Sequence, residues 1–100
     1  MVYSVKFLPA VKHDLSEAKS YYSQKGGIQL ANNFKKEVNS EIAYIKQRPE
    51  HYQVQYRNLR KALVNRFPYA IFYHVRHQEV IIFAILHTRQ DSSKVLNRVP

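Results

Sequence analysis

The side chains in this chain that could do chemistry are histidines and arginines. His74 and His87, together with Arg60, Lys61, Arg66, Arg76 and Arg89, are the groups from which a metal-free ribonuclease could be built. Such an enzyme needs a general base, a general acid and cations that hold phosphate. His87 is the best placed of them. It follows the apolar run Val80–Leu86 and precedes Thr88-Arg89, so it stands where a strand ends, at the rim of a sheet. The same position suits an imidazole that caps the strand, bonds to a neighbouring loop or touches a partner, and residue type alone does not separate these roles.

Other chemistries find less support. His74 and His77 are three apart across a strand end, without a His-x-Glu pair or a cysteine beside them, so no metal site is expected. No nucleophile elbow surrounds any serine. Gly26-Gly27 lacks the Gly-x-x-x-x-Gly-Lys context of a phosphate loop and reads as a helix–helix turn. No cofactor is implied. The eight tyrosines invite a base-stacking argument. Tyr21, Tyr22, Tyr69 and Tyr73, however, fall on stripes expected to face a core, which leaves Tyr52 and Tyr56 as contact residues.

Charge points to an anionic partner. Sixteen Lys/Arg against seven Asp/Glu give a net charge of +9. Residues 1–50 hold eight basic and five acidic side chains, and residues 51–100 hold eight and two, so the excess sits mainly in the second half. A field of this sign attracts nucleic acid, acidic protein segments or both. The 100 residues suit one domain, and there is no cysteine for a disulfide framework. No secretory pattern opens the chain, and its longest apolar run, Val80–Leu86, is far short of the roughly 18 residues that cross a bilayer. A cytoplasmic location is the default expectation.

The elements that must position these groups can be read from periodicity. Residues 2–8 alternate as a short strand, with Val5 and Phe7 facing a core and Ser4 and Lys6 opposite. Pro9 suits a helix start. Val11, Leu15, Ala18 and Tyr22 make one helical face over 10–24, with Lys12, Asp14, Lys19 and Gln24 off it. After Gly26-Gly27 a second helix is predicted over 28–48, carrying the stripe Ala31, Phe34, Val38, Ile42 and Ile45. Pro49 stops it, and Lys46 and Arg48 suit its C-terminal dipole. Residues 50–58 read as a loop. Strands follow at Leu59–Phe67, Tyr69–Val75 and Val80–Leu86, the last two forming a hairpin across Arg76-His77-Gln78-Glu79. The order β-α-α-β-β-β predicts an α+β domain, with a two-helix hairpin packed on a sheet of four main strands. The hairpin strands are apolar on both faces, so the face away from the helices must be covered by the curled sheet and C-terminal tail, or by a partner chain.

Four pieces in order, spread over nearly the whole chain, resemble the RelE/ParE superfamily of bacterial toxins, the toxic halves of type II toxin–antitoxin pairs. They are Asp14-Leu15-Ser16-Glu17-Ala18-Lys19-Ser20-Tyr21-Tyr22, the stretch Leu30–Glu37, Arg66-Phe67-Pro68-Tyr69-Ala70-Ile71-Phe72-Tyr73, and Ile85-Leu86-His87-x-Arg89-x-Asp91. The resemblance implies an antiparallel sheet with the first strand beside the last. RelE-like members are ribosome-dependent mRNA endonucleases with Lys/Arg on the sheet and a Tyr or His near the C-terminus. ParE-like members keep the fold without that set, and characterised ones poison DNA gyrase. The RelE tyrosine position falls here on Leu96 and the sheet arginine position on Ala70, neither of which can do that chemistry. The Phe-Pro-Tyr opening and the His-x-Arg-x-Asp ending look ParE-like.

The resemblance therefore implies a ParE-like toxin of the plasmid-stabilisation kind, acting on DNA gyrase and neutralised by an acidic or amphipathic antitoxin. Arg60, Lys61, Arg66, Arg76, His87 and Arg89 would contact target or antitoxin. The alternatives are a RelE-like endonuclease using His87, with ribosome and mRNA as partners, and a non-toxic degenerate member.

Overall fold

A computed structural model describes residues 2–90 and 93–98. Its elements are β1 (Ser4–Phe7), α1 (Pro9–Gln47), β2 (Val54–Tyr56), β3 (Leu59–Leu63), β4 (Tyr69–Arg76), β5 (Glu79–His87) and α2 (Ser93–Leu96). The α+β class holds. Where the pattern predicts two helices, one long helical element runs from Pro9 to Gln47, and its dihedrals leave the helical region only at Gly26 and Gly27. Gly27 has φ +80°, which disfavours any residue with a Cβ. The ring of Tyr22 lies 5.1 Å from that of Phe34. Twelve residues of unbroken helix would separate their Cα atoms by about 18 Å. The chain therefore turns back at the glycines, and the two arms of α1 pack side by side.

The sheet has five strands in the order β1-β5-β4-β3-β2. Two features differ from expectation. Residues 54–56, within the predicted loop, form the edge strand β2. And β1, though it lies beside the last strand as expected, pairs with β5 in parallel, Ser4 opposite Glu79 through Phe7 opposite Ile82. The second follows from the first. Each connection in this chain reverses direction, so adding β2 between α1 and β3 adds one reversal and turns β5 to run with β1. The sheet is mixed, not antiparallel. The strand predicted over 59–67 also stops early, at Leu63. Residues 64–68 turn instead, with Arg66 at φ +71° and the Val64 N–H donating to the Tyr69 carbonyl at 2.9 Å.

The β4–β5 hairpin is closed by His77-Gln78, with Arg76 opposite Glu79 and His77 in the left-handed region at φ +56°. The pairing slips once. Phe72 faces Ala84 and Tyr73 faces Ile82, which leaves Phe83 as an extra residue in β5. Such a bulge changes the facing of every later side chain. Ile82 and Ile85, three apart, both point to the α1 side, while Phe83, Ala84 and Leu86 point away from it.

The core is consequently double. The α1 side gathers Val11, Ala18, Tyr22, Ala31, Phe34, Val38 and Ile45 against Ile71, Tyr73, Val80, Ile82 and Ile85. The far side gathers Leu59, Ala70, Phe72, Phe83, Ala84 and Leu86 under Val95 of α2, which is fully buried. The chain's own tail is thus part of the cover that the two-faced strands demand. Leu15 and Ile42 pack against the first core while staying partly exposed. Phe7 and Tyr21, expected to face the core, are half exposed, Phe7 at the last paired position of β1 and Tyr21 beside the cleft between α1 and the end of β5. Asp14, expected off the apolar face, is buried.

Phe34 stacks on Tyr22, Phe67 and Tyr69 at once, with centroids 4.9–5.3 Å away. Truncation to alanine should cost about 3–5 kcal/mol, read as a lower urea midpoint; an unchanged midpoint would contradict this packing. Burial pushes the phenols of Tyr69 and Tyr73 up to about 12 from 10.0. A raised acid pKa keeps the native state protonated, so its stabilising effect is present below pH 10.0 and is lost as pH rises toward 12. Tyrosinate absorbance should show the exposed tyrosines ionising first, with unfolding accompanying the last ones.

Candidate functional site

The basic and imidazole groups singled out by type do not converge. Arg76 and His87 lie on the same hairpin but at opposite ends of it, Arg76 opposite Glu79 and His87 opposite Tyr69. Seven strand steps separate these ends, about 23 Å. Arg60 points to the α1 side, where Nη1 donates to the Tyr52 carbonyl at 2.6 Å and the Glu50 carbonyl at 3.4 Å. It is spent on holding the 50–53 loop. Lys61, its neighbour, points to the other face and places Nζ 5.9 Å from the Phe72 ring centroid. Arg66 stands in the turn after β3, 3.8 Å from Glu37. Arg89 is exposed beyond β5.

Lys61 and His87 share a hollow. It measures about 90 Å³ and is floored by Ala70, Phe72 and Leu86. His87 is half-buried there, with its ring 5.3 Å from that of Tyr69. Its Nδ1 accepts the Arg89 backbone N–H at 3.0 Å. A neutral ring with Nδ1 accepting carries its proton on Nε2, so neither nitrogen is left as a free base. The His87 backbone N–H donates to Gln90 Oε1 at 2.8 Å, and the Thr88 N–H to the Pro68 carbonyl at 2.8 Å. His87 thus organises the turn that ends β5. His74 Nδ1 lies 3.2 Å from the Asn58 carbonyl, far from His87 along the strand pair. No group of three metal-ligating side chains occurs among the described residues. Ala70 is buried in the sheet, while the Leu96 side chain and Asp91 lie outside the described residues. Tyr52 donates to Glu41 Oε2 at 2.7 Å, and burial, together with this bond, raises its pKa. It serves as a loop anchor. The Tyr56 side chain is also outside the described residues.

The most highly built polar cluster was not singled out by residue type. β1 accompanies β5 only as far as Ile82, then leaves through Leu8 and Pro9 into α1. Beyond the bulge, the outer edge of β5 takes side chains as partners. The Ile85 N–H donates to Asp14 Oδ2 at 3.0 Å. Arg98 forks onto the same carboxylate, Nη1 to Oδ2 at 2.7 Å and Nη2 to Oδ1 at 3.0 Å, and Nη1 also reaches the Phe83 carbonyl at 3.0 Å. These bonds to Asp14 hold the guanidinium pKa up. A cleft of about 310 Å³ opens beside the pair, between α1 and the end of β5, bordered by Glu17, Tyr21, Tyr69, His87 and Gln90. The signal for Asp14 was its spacing: three after Val11 and four before Ala18, it lies on the buried helical stripe. Nothing in the sequence marked Arg98 as its partner, 84 residues away.

Comparison with known proteins fits this architecture. The profile of the family described as "ParE toxin of type II toxin-antitoxin system, parDE" matches residues 5–92. The chain belongs to the ParE toxin family. A solved structure described as a chromosomal ParDE TA system from P. aeruginosa has the same fold. It superposes with a TM-score of 0.78 over 86% of this chain and 96% of that one, at 17% identity. No curated protein sequence matches the chain. Membership makes this ParE-family chain a type II toxin by family, and an antitoxin partner goes with that class. Removing one member of the Asp14–Arg98 pair should strand a buried charge. Asp14→Ala should cost about 3–5 kcal/mol, seen as a fall in denaturant midpoint. Joint replacement of Asp14 by Leu and Arg98 by Met should cost measurably less, and equal losses would mean the pair does not act as a unit.

Proposed function

We propose that this ParE-family toxin acts by binding rather than by cutting RNA, that its target is DNA gyrase, and that its cytoplasmic partner is an acidic or amphipathic antitoxin. The observation that carries the reading is the state of His87. Its Nδ1 is committed to the Arg89 backbone N–H, and Ala70, Phe72 and Leu86 floor the hollow it borders with Lys61. General base catalysis needs a free lone pair, and phosphoryl chemistry needs cations gathered around one phosphate. Here Arg60, Arg66 and Arg76 are dispersed, and Phe72, Phe83 and Leu86 fill the face on which a phosphate would lie. Gyrase as target follows from the family alone.

The dispersed groups fit partner contacts better. Lys61, Arg66, Arg76, His87 and Arg89 are distributed around the faces and ends of the sheet, as a segment that wraps the toxin would meet them, while Arg60 would contribute through the 50–53 loop it holds. The RelE-like alternative keeps one supporting feature, the shared hollow of Lys61 and His87. Two assays decide between the readings. The wild type should inhibit gyrase supercoiling and leave mRNA on programmed ribosomes intact, and His87→Ala should keep most of that inhibition. Codon-specific cleavage by the wild type, lowered a hundredfold or more in His87→Ala, on the order expected for loss of an acid–base group, would establish the endonuclease instead.

A further inference from the structure

The outer surface of α1 carries a basic face that the sheet-based reading does not use. Lys12 and Lys19 on the first arm and Lys35 on the second line one groove of about 390 Å³ along the seam between the arms, with Leu15, Ser16 and Asn39 between them. Lys35 and Asn39 continue into a second shallow depression with Lys36, Asn32 and Ser40. No carboxylate lines either hollow. The ion pairs among the described residues are Lys6–Glu79, His13–Glu17, Arg66–Glu37 and Arg98–Asp14, and none uses these four lysines. The lysines on the first arm are seven residues apart, about 10 Å along the helix.

The kind of partner follows from what this face lacks. An amphipathic protein segment binds through apolar anchors set in pockets. The large exposed apolar side chains of this protein, Ile28 and Leu63 foremost, do not line the face; of the apolar residues that do, Val38 is buried and Leu15 is partly buried against the core. Its polar lining is lysine, serine and asparagine, the side chains that contact phosphate and sugar in nucleic-acid complexes. We infer that the α1 arms form a sequence-independent binding face for the phosphate backbone of a nucleic-acid duplex. The inference does not depend on gyrase being the target.

The test is fluorescence anisotropy with a labelled 20-base-pair DNA duplex, an RNA duplex of the same sequence and a labelled polyglutamate peptide. If four lysines each neutralise one phosphate, the log–log salt slope for DNA is about −3 to −4, roughly a hundredfold loss of affinity from 50 to 200 mM salt. The variant with Lys12, Lys19, Lys35 and Lys36 all changed to Gln should bind at least tenfold more weakly, with a flattened slope and an unchanged thermal melt. A control with Lys46, Arg48, Arg57 and Lys94 changed to Gln removes the same charge elsewhere and should bind within about threefold of wild type. Similar binding of both duplexes means the shared backbone is read; a preference for one names the source. Equal losses in the two variants would reduce the effect to net charge and overturn the inference. So would polyglutamate binding more tightly than either duplex with the same lysine dependence, which would assign the face to an acidic protein segment.

Discussion

The bidentate contact between Asp14 and Arg98 is where the parts of this fold are tied together. A sheet edge is a row of unpaired donors and acceptors, and proteins must cover it or leave it open to other strands. β5 has β1 as its cover for only half its length, because Pro9 takes the chain out of the sheet and into α1. From the bulge onward, a carboxylate from the helix and a guanidinium from the tail take over, meeting the Ile85 N–H and the Phe83 carbonyl. Charges so deeply placed are tolerable only when fully partnered. The result is a single network joining the helix, the last strand and the C-terminal segment.

That network also holds the second core in place. α2 is one short turn of helix and could not persist alone. Val95 buries its side chain against the far face of the sheet, and Arg98, three residues on, fixes the segment to Asp14. With Phe72, Phe83 and Leu86 packed beneath it, the face is an apolar layer. The Nδ1 of His87 accepts the Arg89 N–H and so ties the end of β5 to the turn that follows it.

The positive charge is distributed with some order. In the second half of the chain it is divided among a loop clamp, a ring contact, a turn and the Asp14 pair, so much of it is structural. On the outer surface of α1 it is unpaired and close-set among small polar residues. Net charge alone, +9, could not distinguish these two uses.

What the sequence determined by itself was the set of local patterns. The helical stripe from Ala31 to Ile45, the Gly26-Gly27 break and the β4–β5 hairpin are all written in periods of 3.6 or 2 and in turn residues that act over a few positions. The motifs that carry the family resemblance are local too. Pairing decided the rest. β2 is three residues long at an edge, too short and too polar to show a period, yet its presence sets the parity that makes β1 run parallel to β5. The bulge at Phe83 is hidden inside an apolar run, since every residue from Val80 to Leu86 suits either face. Asp14 reads as a surface acid until the stripe it stands on is brought against β5. Arg98 acquires its role only because the fold carries residue 98 back to residue 14. Contacts between residues so far apart in the chain arise from the packing of whole elements, and neither residue's neighbours in sequence encode them.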